Sequence, residues 1–237
     1  MKRADWNRLA DSFESDVCDI TREERTGKVE RYVNATKIPR TDAVLVDLGC
    51  GIGSFVSKFG SRFSRVVAID HASKIVARAR ASCVCTTPVK WVVMDVARAG
   101  DAFPASADLT VCMNVITATD HERREALWRS VARVTKPGAY ALIVLPSIES
   151  DAMVRKFAFR AGRAHEFLST PDGLVTRDGV PQKHFSRAEI ADTLAANGFA
   201  LCRMGQAVYL WSVEGLRKPS GAGSASPWDW MCLSRRV

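Results

Sequence analysis

The segment VLVDLGCGIGSF, residues 44–55, constrains the fold of this chain more than any other part of the sequence. A run of aliphatic residues ends at three alternate glycines, Gly49, Gly51 and Gly53, and a stretch with helical spacing follows at once. Because glycine has no Cβ, a turn with this spacing can pass close beneath a ligand. The dinucleotide fingerprint needs its third glycine three places after the second, where this chain has Ser54. The segment predicts a strand, a tight ligand-binding turn and a helix.

Short β-branched runs alternate with helical stretches along the rest of the chain. Strands are predicted over residues 43–48, 65–70, 89–94, 108–113, 139–145, 200–213 and 230–235. Helices are predicted over residues 73–81 and 122–135, with a break at 136–138, and from an N-cap at Ser186 to residues 197–198. This alternation predicts an α/β fold, with a mostly parallel seven-stranded sheet and helices on both faces.

Two regions stand outside that alternation. Residues 1–40 are expected to form one or two amphipathic helices, with Trp6, Phe13, Val17 and Ile20 on one face, and to act as a lid. Residues 146–185, within a domain expected to span 41–237, are charged and rich in proline and glycine. We expect this segment, after strand 5, to be an irregular insertion that selects the substrate over the carboxyl edge of the sheet.

The length and composition of the chain limit the class of protein to which it can belong. With 237 residues, 47% of them hydrophobic, the chain can bury one sizeable core. It shows neither a signal-peptide pattern nor an apolar run long enough to span a bilayer, so a soluble cytoplasmic protein is expected. The seven cysteines are an odd number and lie mostly in apolar runs, which favours free thiols. No metal site is expected, because the closest pair, Cys83 and Cys85, lacks the usual zinc spacing.

A formal net charge of +8 raises the question of a polyanionic partner. The basic residues are scattered over helical stretches and are not interleaved with aromatic residues, which favours a solvated surface over a nucleic-acid groove. Nucleic acid is therefore an unlikely partner that the charge does not exclude. The oligomeric state is not predicted.

Polar residues follow the second, third and fourth predicted strands. Asp70 ends the second, Asp95 follows the third and Asn114 follows the fourth. In sheets of this kind an acidic residue at the second strand binds ribose hydroxyls, since one carboxylate can accept both hydrogen bonds. Either aspartate alone could be a helix N-cap. Together with the glycine turn, these positions predict a single ligand site at the carboxyl edge.

Asp47 completes the pattern acidic-x-Gly-x-Gly-x-Gly, which resembles the first motif of class I methyltransferases that use S-adenosylmethionine (SAM). The resemblance is strong over residues 40–147. It implies a Rossmann-like fold, SAM as cofactor and, from the look of the terminal segments, a small-molecule acceptor. The residues that it implies bind the cofactor are Asp47, Gly49, Cys50, Gly51, Gly53, Asp70, His71, Asp95, Val96 and Asn114, with Trp6 and Phe13 as a lid.

In such an enzyme the methyl group leaves by in-line displacement, and alignment of the two reactants is the main contribution of the protein. A general base is needed only where the acceptor arrives protonated. Near the predicted carboxyl edge the candidate bases are His121, Glu149, His165 and His184. No feature of the sequence singles out one of them.

The residues after the fourth strand also bear on the acceptor. They read Asn114-Val-Ile-Thr, without the Pro-Pro-aromatic sequence typical of enzymes that methylate base amino groups. Cys112 lies inside a strand, which argues against a covalent cysteine mechanism. A free metabolite is the favoured acceptor. The alternatives are an RNA or protein methyltransferase, a non-catalytic SAM-fold partner subunit and, more remotely, an oxidoreductase.

Overall fold

The structure, a computed structural model, describes residues 2–39, 41–160, 167–177 and 179–237. Its strands, β1 to β10, are Val44–Leu48, Arg65–Asp70, Val89–Val93, Ala107–Met113, Thr135–Pro146, Phe167–Ser169, Leu174–Arg177, Val180–Lys183, Phe199–Val208 and Trp228–Arg236. Its α-helices, α1 to α10, are Arg3–Arg8, Phe13–Asp16, Ile20–Glu23, Lys28–Ala35, Ser54–Phe59, Ser73–Ser82, Ala99–Ala102, His121–Val134, Ile148–Arg160 and Arg187–Ala196.

Seven strands form one sheet in the order β3-β2-β1-β4-β5-β10-β9. The five strands from β3 to β5 are parallel, and β10 runs antiparallel to both of its neighbours. The chain moves outward from β1 to β3 and then returns to the other side of β1 as β4. Ligands of open α/β sheets bind at such a switch point, beyond the carboxyl ends of the strands. The predicted α/β sheet of seven mostly parallel strands is confirmed.

Side chains alternate between two cores, one on each face of the sheet. In β5, Ile143 and Leu145 pack with α8 and α10, whereas Leu142 and Val144 pack with α4 and α5. These four residues are fully buried, and helices cover both faces. This burial explains why the central strands read as continuous apolar runs in the sequence.

The N-terminal residues form four short helices, α1 to α4, where one or two were predicted. Phe13 is buried, and Trp6 and Val17 pack in the same cluster, which also includes Ile75 of α6. Ile20 packs instead in the core cluster that contains Val29 and Val33 of α4. None of the described helices is long and apolar enough to cross a membrane.

The prediction of an irregular segment over residues 146–185 is wrong for its described part. The 13-residue helix α9 opens the segment, and the strands β6, β7 and β8 form a separate three-stranded antiparallel sheet. Backbone contacts join this small sheet to the main one, since the Lys183 amide donates to the Thr117 carbonyl at 2.9 Å and Ser147 bridges to Phe185. The insertion thus lies against the carboxyl edge of the main sheet.

Two predicted boundaries also shift. Strand β5 begins at Thr135, directly after α8, so the predicted break at residues 136–138 lies inside the strand. Gly138 adopts a positive φ of 77° there, which allows the strand to bend without ending. Strand β9 ends at Val208, and the 3₁₀ turn Trp211–Glu214 occupies the rest of the predicted strand. The Ser186 cap of α10 is present, with its hydroxyl accepting from the Glu189 amide at 3.1 Å.

Candidate functional site

The turn between β1 and α5 consists of glycines in conformations that other residues rarely adopt. Gly49, Gly51 and Gly53 have φ angles of 74°, 51° and 81°. A Cβ on Gly49 would lie 2.2 Å from a methyl carbon of Val115, and one on Gly51 would lie 2.9 Å from the Phe13 ring. The Phe13 ring therefore packs directly on the Gly51 backbone, and only a residue without a Cβ permits this close approach.

Asp70 ends β2 and links that strand to the glycine turn. Its Oδ2 accepts from the Gly51 amide at 3.2 Å, and its Oδ1 accepts from the Ala72 amide at 2.9 Å. The side chain of Asp70 keeps 12% of its surface exposed, and His71 Nδ1 lies 3.7 Å from it. Burial raises the pKa of Asp70 above its ordinary value, while these amide donors oppose the rise. The carboxylate is thus fixed in position with lone pairs left for a ligand.

Asp47, on β1, is a buried carboxyl group with an unsatisfied oxygen. It is 3% exposed, and within the described residues its Oδ2 has no hydrogen-bond partner. Burial raises the pKa of Asp47 to about 8, with further contributions from the negative charges of Asp19 and Asp70. The negative charges of Asp19 and Asp70 beside Asp47 attract positive charge to this part of the site.

Asp95 follows β3 and is paired with an arginine. Its Oδ1 caps the 3₁₀ turn Val96–Arg98 by accepting from the Ala97 amide at 3.0 Å, and Arg123 Nη2 lies 2.5 Å from the same oxygen. Hydrogen bonds and the charge of Arg123 lower the pKa of Asp95 although burial opposes them. Arg123 was not predicted as a site residue, because nothing in the sequence places α8 beside β3.

Asn114 follows β4 and has a positive φ of 55°. Its side-chain NH2 group donates to Asp229 Oδ2 at 2.7 Å, and its backbone amide donates to the Val144 carbonyl at 2.9 Å. Among the described residues its Oδ1 is buried without a partner. Asn114 therefore offers an unused hydrogen-bond acceptor at the carboxyl end of β4.

One cavity of about 370 Å³ connects these strand ends. We call the strand-end residues in its lining the cavity floor: Asp47, Gly49, Cys50, Gly51, Asp70, His71, Asp95, Val96 and Asn114. We call the N-terminal residues in its lining the cavity roof: Trp6, Phe13, Val17, Cys18, Asp19, Ile20 and Thr21. The remaining wall includes Thr117 to Asp120, Arg123 and, from the insertion, Pro181 and Gln182. The volume suits a small ligand.

Of the twelve residues predicted to bind the cofactor, eleven line this cavity, and Gly53 lies just behind it as the N-cap of α5. The structure thus brings together residues that are far apart in the sequence. The role of each residue in cofactor binding stays a prediction. Asp19, Thr21 and Gln182 also line the cavity and were missed, since no local signal places their segments over the sheet edge.

The three candidate bases within the described residues do not lie at the cavity. Within the described residues, neither His121 on the exposed start of α8, nor Glu149, nor His184 lines it. Glu149 accepts from Trp230 Nε1 at 2.9 Å and from the Arg187 amide at 3.0 Å, so hydrogen bonds occupy its oxygens. His184 Nδ1 lies 3.4 Å from the Ser147 carbonyl, and burial lowers its pKa to about 4. His165 lies outside the described residues.

Comparison with known proteins shows which family model matches the residues of this site. A family model described as "Methyltransferase domain" matches residues 45–138, the part of the chain that contains the glycine turn, Asp70, Asp95 and Asn114. A search of curated proteins finds no match.

Solved structures share the fold. A SAM-dependent methyltransferase from Anabaena variabilis has a TM-score of 0.70 at 13% identity and covers 100% of this chain and 96% of its own. One from Methanosarcina mazei has a TM-score of 0.62 at 18% identity, covering 90% and 99%. A 1,6-didemethyltoxoflavin-N1-methyltransferase from Burkholderia thailandensis, with its substrate and S-adenosylhomocysteine (SAH) bound, has a TM-score of 0.65 at 15% identity, covering 99% and 87%.

The sheet order is shared with solved SAM-dependent methyltransferases, and residues 45–138, which contain the glycine turn at the switch point, match the methyltransferase-domain model. These findings support an enzyme that transfers methyl groups with SAM as its cofactor, as the first motif predicted.

Proposed function

We propose that this enzyme methylates a small-molecule acceptor by in-line displacement from SAM. The observation that carries the proposal is the single cavity, which extends from the glycine turn to a wall formed by Thr117, Thr119 and Gln182. Cofactor and acceptor would share this one space beneath the roof. A cavity of about 370 Å³ has the dimensions of a small-molecule site.

The floor fits the cofactor. The glycines of the turn put no side chain into the cavity, and Asp47, which lines it, has an unsatisfied carboxyl oxygen among the described residues. We assign Asp70 to the ribose hydroxyls and Asp47 and Asn114 to the positively charged methionine part. The adenine ring would lie near His71, Asp95 and Val96, which line the opposite part of the floor. Bound SAM supplies an activated methyl group on a positively charged sulfur.

The work of the chain is then to orient the two reactants and to exclude water. Trp6 and Phe13, whose ring centroids are 6.5 Å apart, lie over the glycine turn. We propose that residues 1–40 act as a lid, with the two rings covering the cofactor. Alignment of this kind can supply roughly 7–11 kcal/mol of the barrier. No general base is assigned, because the described candidates lie away from the cavity.

The charges of the cavity favour a neutral or cationic acceptor. Its lining carries Asp19, Asp47, Asp70, Asp95 and Asp120, against one arginine that is already paired with Asp95. An anion entering this space would be repelled, so the excess of basic residues elsewhere on the chain does not carry over to the cavity. This balance argues against RNA as acceptor.

A solved neighbour supports a small acceptor. The Burkholderia thailandensis enzyme binds 1,6-didemethyltoxoflavin, and its chain aligns with 99% of this one. This structural likeness shows a shared fold, and the proposed acceptor of this chain rests on its cavity. Pro181 and Gln182 of the insertion line the cavity. We therefore assign part of the acceptor contact to the insertion.

The test is to incubate the protein with methyl-labelled SAM and a cell extract separated into low-mass molecules, RNA and protein. We expect label in low-mass molecules that an anion exchanger does not retain. A Gly51→Val variant serves as the inactive control. Label in RNA or protein would contradict the small-molecule proposal, whereas SAM binding without labelling of any fraction would indicate a non-catalytic partner subunit.

A further inference from the structure

We propose that Asp229 is a positioning residue for methyl transfer, which fixes the Asn114 amide so that its carbonyl oxygen is the end left for the bound cofactor. The proposal rests on the proposed function, which assigns Asn114 to the methionine part of SAM. Asp229 lies on β10, more than a hundred positions along the chain from Asn114, and nothing in the sequence connects the two.

The contact between the two side chains determines how the amide is oriented. Asn114 Nδ2 donates to Asp229 Oδ2 at 2.7 Å. An ionised carboxylate can only accept hydrogen bonds, so it selects the NH2 end of the amide. Rotation of the amide by half a turn would place two oxygens against each other. The backbone of Asn114 is fixed as well, by its hydrogen bond to Val144.

The other end of the amide is unused. Within the described part of the chain, Asn114 Oδ1 is buried and has no hydrogen-bond partner, although Asn114 itself lines the cavity. A buried carbonyl without a donor lowers stability, and such groups are uncommon unless a ligand satisfies them. The unpartnered end of the Asn114 amide is therefore its acceptor, while Asp229 holds the NH2 end.

Asp229 is itself held in place. It is 5% exposed, and the Ser147 backbone amide donates to it. The Tyr209 hydroxyl lies 3.4 Å from Asp229 Oδ1 and 2.9 Å from Glu214 Oε1. A hydroxyl has one hydrogen, so Tyr209 donates to one carboxylate at a time and favours the shorter contact. Glu214 in turn forms an ion pair with Arg177 of β7.

Asp229 does not line the cavity, so its effect on a ligand must pass through Asn114. The orientation matters because SAM carries a positive sulfur that SAH lacks. The negative end of the amide dipole stabilises positive charge nearby, and the NH2 end would oppose it. Loss of the fixed orientation should consequently weaken SAM binding more than SAH binding.

The experiment measures the affinities of the full chain for SAM and SAH by calorimetry. Asp229→Asn keeps the shape of the side chain but can present either an oxygen or an NH2 group to Asn114. We expect SAM to bind about tenfold more weakly and SAH to change by less than about twofold. Tyr209→Phe is the matched control, since it alters a neighbour of Asp229 and leaves the contact with Asn114; the ratio of the two affinities should stay unchanged.

A double-mutant cycle tests whether Asp229 acts through Asn114. We expect Asn114→Ala alone to lower the SAM-to-SAH affinity ratio and Asp229→Asn to add no further loss in the double variant. The proposal would be overturned if the losses of the two single variants added in the double variant, or if Asp229→Asn weakened SAM and SAH binding equally. An unchanged SAM-to-SAH affinity ratio in Asn114→Ala would also overturn it, and this result is decisive even if Asp229→Asn does not fold. If the unaltered chain binds neither ligand, the proposed function fails instead.

Discussion

The floor and the roof of the cavity are held in place by different kinds of contact. In the floor, residues such as Asp47 and Asp70 extend from neighbouring strands of one sheet, whose backbone hydrogen bonds set their spacing. The roof consists of helices of four to six residues. Side chains attach it to α6, since Arg78 binds Glu14 at 2.5 Å and Asn7 accepts from the Lys74 amide at 3.0 Å.

This difference indicates how the enzyme divides its tasks. Strand ends fixed by a sheet suit a ligand that never changes, which here is the cofactor. The partly exposed ion pair between Arg78 and Glu14 contributes little to the stability of the fold, because such pairs are individually weak. The remaining attachment of these short helices is the small apolar cluster that contains Phe13 and Ile75. The roof is therefore attached to the rest of the fold more weakly than the floor is. Substitutions in the floor should accordingly cost more cofactor affinity than substitutions in the roof.

The largest effect is expected from Gly51→Val. The residue has a φ of 51°, and its first added carbon already lies 2.9 Å from the Phe13 ring. A valine there would be strained and would fill the cofactor space, so SAM affinity should fall by about 100-fold or more. Gly221→Val is the control, because Gly221 has a φ of 84° with nothing within 4 Å of an added Cβ. Equal SAM affinity of the two variants, measured by calorimetry, would contradict the claim that the floor holds the cofactor.

Asp70→Ala should have the next largest effect. It removes the carboxylate that we assign to the ribose hydroxyls, together with its hydrogen bond to the Gly51 amide. We expect the free energy of SAM binding to weaken by about 1–3 kcal/mol. Asp101→Ala is the control, since Asp101 is exposed and paired with Arg133 away from the cavity. Unchanged affinity in Asp70→Ala by calorimetry would refute this placement of the ribose.

A pH dependence should follow from Asp47. Its pKa of about 8 in the free protein means that the carboxyl group is mostly protonated at pH 7. A bound cation favours the ionised form and lowers this pKa, so binding of SAM should release a proton below pH 8. SAM affinity should rise with pH up to about 8, by at most about tenfold per unit, and then level off.

Calorimetry in two buffers of different ionisation enthalpy measures that proton release directly. Asp47→Asn should bind SAM with no dependence on the buffer. Proton uptake by the unaltered chain, or release that persists in Asp47→Asn, would show that another group is responsible.

The smallest of these effects should come from the roof. Phe13→Ala removes a ring that covers the glycine turn, and we expect SAM affinity to fall by about threefold to fivefold because less apolar surface is buried on binding. Phe159→Ala, on the exposed face of α9, should leave the affinity unchanged. If Phe13→Ala weakened SAM binding as much as Gly51→Val, the roof would contribute as much to cofactor binding as the floor, and the proposed difference between them would be wrong.

The central sheet could be predicted from the sequence far better than the elements of the insertion. The buried central strands are continuous apolar runs, and their boundaries were predicted to within a few residues. Helix α9 was missed although Val154 and Ala158 have helical spacing, because charged residues separate the apolar ones. Strands β6 to β8, of three or four residues each, are too short to show an alternating pattern.

In the site, the floor was predictable and the remainder of the cavity largely was not. Asp47, Asp70 and Asp95 stand at fixed offsets from strands, so their convergence follows from the topology of a parallel sheet. Gln182 and Asp229 reach the site through packing between distant segments, for which one sequence carries no signal. The four candidate bases were chosen by residue type and by nearness to the predicted carboxyl edge, and neither criterion specifies which way a side chain points.

The central claim is that the cavity beneath the roof is the binding site for SAM. Equilibrium dialysis of the full chain against labelled SAM tests it most directly, with unlabelled SAH as competitor and Gly51→Val alongside. We predict saturable binding of one SAM per chain, displaced by SAH and lost in the variant. Absence of saturable binding, or binding that Gly51→Val retains in full, would contradict the account.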